Sequence, residues 1–366
     1  MYTSLRVSGL DMAFVALLTV CAVQAADEVH MTDNKLQRGT VTKDAVEGVT
    51  LTPEGSGGGS MTIPAEKVEN VVFEVQNADF QSALISMNSG DYATAAATFQ
   101  ALSADEGQMK VFREVAKPYL AYLVGECFYR AGKHQDAVTA FERFMKEHKS
   151  SRYVPMAVGN MVDSAIQAKK LDAVPDLLQK LKDMGGENKA RALLLGAELD
   201  LQQSNVPGAE AKYNEAATSS TKKATQAIAR LGLAKIAIAK KENDKARRMA
   251  EQALSGSSTP SVCATAYLIV GDVLVAEAET AKADASKDKL LDAALAYLRI
   301  PILYANDKNT EPEALYKAGN CFVQLSKHPG RAADRERART LLNMIVQRYK
   351  NTRWNVLATE VLKKMG

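Results

Sequence analysis

The sequence predicts a mainly α-helical fold, an array of about seven helix pairs preceded by a small all-β module at the N-terminus. Three observations support this fold class. Residues 76–366 are rich in alanine and place apolar residues at helical spacing. The same region repeats small residues at a nearly regular interval. Residues 26–75 instead alternate apolar and polar residues, which is typical of short strands.

The composition is that of an ordinary folded protein. The chain has 366 residues, of which 46% are hydrophobic and 24% are charged. This length favours two domains or one long repeat array. The formal net charge is only +3. A nearly balanced surface exerts no general attraction on nucleic acid or on an anionic membrane, so we expect neither as a partner.

Residues 1–25 have the layout of a secretory signal peptide. Arg6 precedes an almost wholly apolar run over 12–23, and small residues then lead to a cleavage site near Ala25/Ala26. This pattern predicts an exported protein of the periplasm or cell envelope. An uncleaved membrane anchor is one alternative. Lipidation is another, because Leu18-Thr19-Val20-Cys21 resembles a bacterial lipoprotein signal, although valine stands where a small residue is expected.

The module over residues 26–75 is predicted to contain five strands. Glycine-rich or Asp-Asn turn signals separate them, the longest over 55–60. Five strands in so short a segment suggest a small SH3-like or Sm-like barrel. The predicted strands cover residues 28–31, 36–43, 46–52, 60–63 and 68–74.

The helical region repeats one small position per first helix and one pair of residues per second helix. A small residue lets two helices approach, and a large apolar residue four places from another small one fills the gap. The first-helix positions are Ala83, Gly125, Gly159, Gly196, Gly232, Gly271 and Gly319. The second-helix pairs are Ala95/Phe99, Ala137/Phe141, Ala173/Leu177, Ala209/Tyr213, Ala246/Ala250, Ala294/Leu298 and Ala338/Leu342.

The segment 118–151 carries the clearest copy of this repeat. Val124-Gly125 and Phe128 lie in its first helix, and Ala137 and Phe141 lie in its second. The copy resembles the tetratricopeptide repeat (TPR), a helix pair with a period of 34 residues. The resemblance implies a TPR-like α-solenoid over 76–366, a role as a protein-interaction scaffold, and a concave face lined by first helices.

Two repeat ends resemble each other and a particular group of TPR proteins. They are residues 144–153 and 345–354, which end in Ser-Ser-Arg-Tyr and Asn-Thr-Arg-Trp. Both are similar to a junction found in bacterial envelope TPR proteins of the outer-membrane-assembly lipoprotein and Tol–Pal coordinator types. Lys149 and Lys350 occupy the place where that group usually has proline.

The sequence shows no catalytic, metal or cofactor motif. Its four histidines are far apart, and none belongs to a His-Glu-x-x-His pattern. Three cysteines follow the signal region at long spacing, which is not a disulfide framework. We therefore expect a non-enzymatic protein without a cofactor.

Candidate partner-binding residues follow from the resemblance, which places them on the concave face. Aromatic rings offer a large contact area while their hydroxyl groups stay hydrogen-bonded. Packing between neighbouring helices is the alternative role of the same tyrosines. The candidates are Tyr119, Tyr122, Glu126, Tyr129, Arg130, Tyr153, Asn160, Asp163, Tyr316 and Asn320.

Three functions remain open. The first is a scaffold or adaptor that binds protein or peptide partners in an exposed, tyrosine-lined groove. The second is a structural envelope component that self-associates or bridges envelope layers. The third is a regulator, or an enzyme with an unrecognised site.

Overall fold

The computed structural model describes residues 26–55, 57–304, 310–350 and 352–365. The predicted signal peptide, including Cys21 and the cleavage site at Ala25, lies outside these residues. Within them, an N-terminal β-sheet is followed by sixteen α-helices. The prediction of a mainly α fold with a small β module is confirmed.

The sheet has five antiparallel strands in the order β4-β3-β2-β1-β5. A turn of 3-10 helix over Ala65–Lys67 joins the two edge strands. Valines and other apolar residues at alternate positions face the core, and the intervening residues face outward. The strands are β1 Asp27–Met31, β2 Leu36–Ala45, β3 Gly48–Pro53, β4 Met61–Pro64 and β5 Val68–Val72.

The helices form the seven predicted pairs, together with a single-turn helix, α3, and a final helix, α16. The pairs are α1/α2, α4/α5, α6/α7, α8/α9, α10/α11, α12/α13 and α14/α15. The helices are α1 Ala78–Asn88, α2 Tyr92–Ala104, α3 Glu106–Met109, α4 Lys117–Arg130, α5 His134–Glu147, α6 Val154–Gln167, α7 Val174–Asp183, α8 Gly186–Gln202, α9 Val206–Ser219, α10 Lys223–Ala239, α11 Asn243–Gly256, α12 Pro260–Thr280, α13 Ala283–Leu303, α14 Glu311–Leu325, α15 Asp334–Arg348 and α16 Arg353–Met365.

The repeated small residues make room for aromatic rings, as the repeat pattern predicts. A Cβ atom added at Gly125 would lie 2.5 Å from the Phe141 ring. One added at Gly271 would lie 2.3 Å from the Tyr297 ring. Such distances are too short for any side chain, so these glycines allow the helices to approach.

Two predicted second-helix pairs are wrong in detail. Ala173 is exposed and immediately precedes α7, because that helix begins at Val174, which is buried. In α13 the large buried residue beside the first helix is Tyr297, whereas Leu298 is only half-buried. Degenerate repeats shift the buried face by one residue, and spacing alone does not show this shift.

The sheet and the first helices share one continuous hydrophobic core, which extends from Val29 to Ala192. A backbone bridge also joins Ala45, at the end of β2, to Ser151 before α6. The β module is therefore packed directly onto the helical array.

Two ion pairs reinforce this contact between the sheet and the helices. Asp27 on β1, with a side chain only 1% exposed, pairs with Arg113. Asp44 on β2 pairs with Arg152, which precedes α6. Both charges of the Asp44–Arg152 pair are shielded from water, so removal of one partner would leave the other without compensation. Arg113 is instead partly exposed, and Asp27 also accepts hydrogen bonds from the Val41 and Glu74 amides.

Helix α12 is the one helix among the described residues that is long and apolar enough to cross a membrane, by length and composition alone. It packs against α10, α11 and α13. Because 56% of its apolar window is buried by this packing, it has the character of a core helix. Residues 277–288 form the end of α12, the turn that follows it and the start of α13.

Candidate functional site

The first helices of successive pairs lie side by side. Helix α6 contacts both α4 and α8, and helix α10 contacts both α8 and α12. The corresponding second helices make at most marginal contacts with one another. Because the first helices are closer together, the array from α4 to α12 curves with these helices on the inside, which is the expected concave side.

Three of the predicted tyrosines form a stack at the start of this side. The Tyr153 ring lies 5.1 Å from that of Tyr122 and 5.4 Å from that of Tyr119, measured between ring centroids. Tyr153 is 3% exposed and Tyr122 is 8% exposed, while Tyr119 is half-buried. The expectation of an exposed, tyrosine-lined groove is therefore wrong for Tyr122 and Tyr153, which pack between helices.

A buried carboxylate ties α4 to α6. Glu126, 6% exposed, accepts hydrogen bonds from the Tyr122 hydroxyl at 2.8 Å, Asn160 Nδ2 at 2.6 Å and Arg130 Nε at 2.6 Å. Three donors, one of them cationic, offset the cost of burying this charge. Burial and the adjacent Glu126 carboxylate raise the pKa of Tyr122 well above its ordinary value. The Tyr122 hydroxyl therefore stays protonated and keeps donating.

The same network extends to α8. Asn160 Oδ1 accepts a hydrogen bond of 2.6 Å from Arg191 Nη2. The Arg191 guanidinium lies over Gly159, where an added Cβ atom would be 2.3 Å away. Arg191 is half-buried and forms no ion pair within the described part of the chain. Its remaining donors are thus available on the inner side of the array.

A second link joins α4 to α6 beside the first. The Tyr129 hydroxyl donates to Asp163 Oδ2 at 2.6 Å. Burial, followed by this carboxylate, raises the pKa of Tyr129. Further along, the Glu198 side chain on α8 is exposed to solvent, yet nearby protein atoms partly desolvate its carboxylate. This partial desolvation, and then the Asp163 charge, raise the pKa of Glu198, and the Lys235 charge on α10 opposes the rise.

We call the accessible side chains on this side the inner face. They alternate in charge and rest on the bonded layer described above. The inner face consists of Tyr129, Arg130, Asp163, Arg191, Glu198 and Lys235.

Sequence reasoning missed three members of the inner face, namely Arg191, Glu198 and Lys235. A signal was present, because Glu198 and Lys235 follow the repeated glycines Gly196 and Gly232 closely, as Tyr129 follows Gly125. The position of Arg191 depends on a bond to the preceding repeat, which repeat spacing does not reveal.

The two C-terminal candidates do not join this group. Tyr316 and Asn320 lie on α14, whose buried residues belong to a different hydrophobic cluster from those of α4. Tyr316 packs on Trp354 of α16, with 5.4 Å between ring centroids. Both candidates are half-buried.

No group of three or more potential metal ligands occurs among the residues that the structure describes. Cys127, Cys263 and Cys321 are buried and free. Burial raises the pKa of the Cys127 thiol to about 12. A thiol held in its neutral form is a poor nucleophile, so the environment of Cys127 is that of a packing residue.

Three solved structures illustrate the similarity to known proteins. The C-terminal part of a TPR repeat-containing protein from Cytophaga hutchinsonii is 14% identical, with a TM-score of 0.42, over 76% of this chain and 98% of that chain. A tetratricopeptide repeat protein from Parabacteroides merdae is 18% identical, with a TM-score of 0.40, over 72% and 96%. The human IFIT1 dimer with m7Gppp-AAAA is 13% identical, with a TM-score of 0.47, over 76% and 67%. No curated protein matches the sequence.

Family models give the assignment. A tetratricopeptide repeat-like domain matches residues 157–298. Tetratricopeptide repeat models match residues 80–150 and 313–352. Together these matches span more than half of the chain and most of its helical region, so the chain belongs to the tetratricopeptide-repeat proteins.

Proposed function

We propose that this protein is an exported scaffold that binds an extended segment of a partner protein along its inner face. TPR arrays typically act as non-catalytic interaction scaffolds, because stacked helix pairs create extended concave surfaces. The observation that carries the proposal is the Arg191 guanidinium, which the Asn160 bond holds in place and which forms no ion pair with a carboxylate of the described residues.

The bonded layer beneath the inner face favours such binding. Glu126, Asn160 and Arg191 link three successive first helices, so the side chains above them are held in place before a partner arrives. A surface that is already ordered loses less conformational entropy on binding. Arginine and tyrosine, both present on this face, are the residues most often found at the energetic centre of an interface.

The alternating charges specify the partner further. Positive Arg191 and negative Glu198 lie on α8, and positive Lys235 lies on the neighbouring first helix α10. An extended segment with acidic and basic residues would match this pattern, whereas a uniformly charged polymer would meet repulsion at every second position. The proposal is therefore a protein or peptide partner.

Site-specific photo-crosslinking tests the position of the partner. A photoreactive residue would replace Glu198 or Lys235 on the inner face, and Glu142 or Lys182 on second helices as matched controls, since all four are exposed. We expect adducts in living cells from the two inner positions and none from the controls. The variant Arg191→Gln should reduce the inner adducts.

Other photo-crosslinking results would contradict the proposal or favour its alternative. Equal adducts from all four positions, or adducts from the controls alone, would refute binding on the inner face. Adducts with a second copy of the chain would instead support the alternative of a self-associating envelope component.

Export is the second part of the proposal, and it rests on the signal-like residues 1–25. Strand β1 begins at Asp27, so cleavage near Ala25/Ala26 would leave the sheet complete. Sequencing the N-terminus of protein from a periplasmic fraction tests this directly. We expect a start near Ala26, and an intact N-terminus in the cytoplasmic fraction would contradict export.

A further inference from the structure

Two distant segments of the chain share the hydrogen bonds and the backbone angles at the end of a helix. We call residues 144–153 the first junction, and residues 345–350 together with 352–354 the second junction. In the first, the His148 amide donates to Phe144 O at 2.8 Å. In the second, the Tyr349 amide donates to Ile345 O at 2.9 Å. The backbone angles at these two donors also agree, with φ −127° and ψ 49° against φ −119° and ψ 48°.

The agreement continues beyond these helix ends. The Ser151 amide donates to the His148 carbonyl at 3.1 Å, and the Thr352 amide donates to the Tyr349 carbonyl at 3.2 Å. Each junction therefore presents the two residues that follow, an arginine and an aromatic residue, from the same turn.

Both junctions build the same arrangement of arginine and aromatic rings. The Arg152 guanidinium lies 4.6 Å from the centroid of the Tyr153 ring, and that of Arg353 lies 4.2 Å from the Trp354 ring. In each case the aromatic residue also packs on a tyrosine of the preceding first helix. That tyrosine lies three residues before the repeated glycine of the same helix. A guanidinium over an aromatic face is held flat, with its edge free to meet a carboxylate.

The first junction is occupied by the β2–β3 hairpin of the same chain. Asp44 Oδ1 accepts a hydrogen bond of 2.7 Å from Arg152 Nε. The Val46 amide donates to Ser150 O at 3.0 Å. The side chains of Asp44 and Arg152 are 1% and 9% exposed, so the hairpin covers the arginine almost completely. An extended segment with one aspartate thus fills this surface.

The second junction presents the same surface uncovered. Arg353 is exposed, and no carboxylate of the described residues lies within ion-pair distance of it. Val356 stands where the first junction has Pro155, which lines the cavity beside the hairpin tip. The Val356 side chain is 59% exposed. Within the described part of the chain, the second junction therefore combines a guanidinium that has no ion-pair partner with an exposed apolar side chain.

We infer that the second junction binds an extended strand of another protein that presents an aspartate to Arg353, as the β2–β3 hairpin does to Arg152. A second copy of this chain is not the occupant, because its own hairpin is already buried against its own first junction. The surface lies on α16 and is separate from the inner face, so it does not depend on the function proposed above.

Trp354 provides a direct readout, because it is the only tryptophan in the sequence. The probe is a backbone-cyclised hairpin peptide of residues 40–51, which carries Asp44 on its first strand, beside the natural turn. We expect a saturable change in Trp354 emission when the full-length protein is titrated with this peptide. Changing Asp44→Asn in the peptide should weaken binding by about tenfold or more, since the ion pair is lost.

Two matched controls separate this contact from general charge effects. A peptide with Glu47→Gln has the same net charge as the Asp44→Asn peptide, but Glu47 makes no contact with Arg152, so its binding should be unchanged. In the protein, Arg353→Gln should abolish the response and Lys363→Gln, exposed on the same helix, should not. Thermal unfolding would verify that both variants fold.

Three results would overturn the inference. They are no saturable emission change up to millimolar peptide, equal binding of the Asp44→Asn peptide, and an unaltered response in the folded Arg353→Gln protein. Each would mean that the second junction does not recognise an aspartate-bearing strand.

Discussion

Replacing Arg152 with methionine should destabilise the contact between the sheet and the helices strongly. The substitution keeps an unbranched side chain over Tyr153 but leaves the Asp44 carboxylate, 1% exposed, without its cation. One oxygen of that carboxylate already lacks a hydrogen-bond partner in the described structure. Breaking a buried pair in this way typically costs about 3–5 kcal/mol of unfolding free energy.

The double variant Asp44→Leu/Arg152→Met distinguishes charge from packing. It removes both charges together, so it should recover most of the stability that the single variant loses. Urea unfolding followed by circular dichroism gives the free energies, and hydrogen exchange at the Val46 amide reports the hairpin locally. A cost below about 1 kcal/mol for Arg152→Met, or no recovery in the double variant, would refute the reasoning.

The pH dependence supplies a further check on the same pair. Burial raises the pKa of Asp44, against the opposing effect of Arg152. A raised pKa means that Asp44 binds its proton more tightly in the folded state than in the unfolded state. The stability that this proton binding contributes is present at acidic pH and is lost as the pH rises through the pKa of folded Asp44. Without Arg152 the pKa should rise further. The cost of Arg152→Met should therefore shrink on acidification, and a cost that grows would contradict the assignment.

Three other predictions follow from the packing of the helices. Gly271→Ala should lower the free energy of unfolding in urea by about 1–3 kcal/mol, because the added Cβ would overlap the Tyr297 ring. Gly256→Ala is the control, since an added Cβ there would have no atom closer than 3.7 Å. Tyr122→Phe should lower the free energy of unfolding by about 1.5–3 kcal/mol, because it removes a donor to the buried Glu126 carboxylate. An unchanged free energy would show that this hydrogen bond does not stabilise the fold. Cys127, with its pKa raised to about 12, should resist a thiol reagent at pH 8 until urea unfolds the chain, so rapid labelling of the folded protein would contradict its burial.

Local patterns predicted most of the fold. The five strands were recognisable because apolar residues alternate within them, and turn signals mark their ends. The seven helix pairs were recognisable because a close helix crossing demands a small residue, as at Gly125 beside Phe141. These rules act over one strand or one helix pair, and the sequence displays them directly.

The candidate site was less predictable, because burial depends on neighbours that are distant in sequence. Tyr122 on α4 and Tyr153, immediately before α6, lie on the expected side of the array, but each covers the other. Asp44 and Arg152 are separated by 108 positions, and no periodicity connects a strand end to a helix junction. Arg191 acquires its place only through Asn160 in the preceding repeat.

The continuous core from Val29 to Ala192 also affects the order in which parts of the chain can fold during synthesis. Later cores are nearly local, as in the cluster that spans only Leu193 to Ile236. The ribosome must therefore release about half of the protein before the first core can close, whereas each later helix pair can add to a finished surface soon after it emerges. Until then, the apolar residues of the sheet lack the helices that cover them in the folded protein.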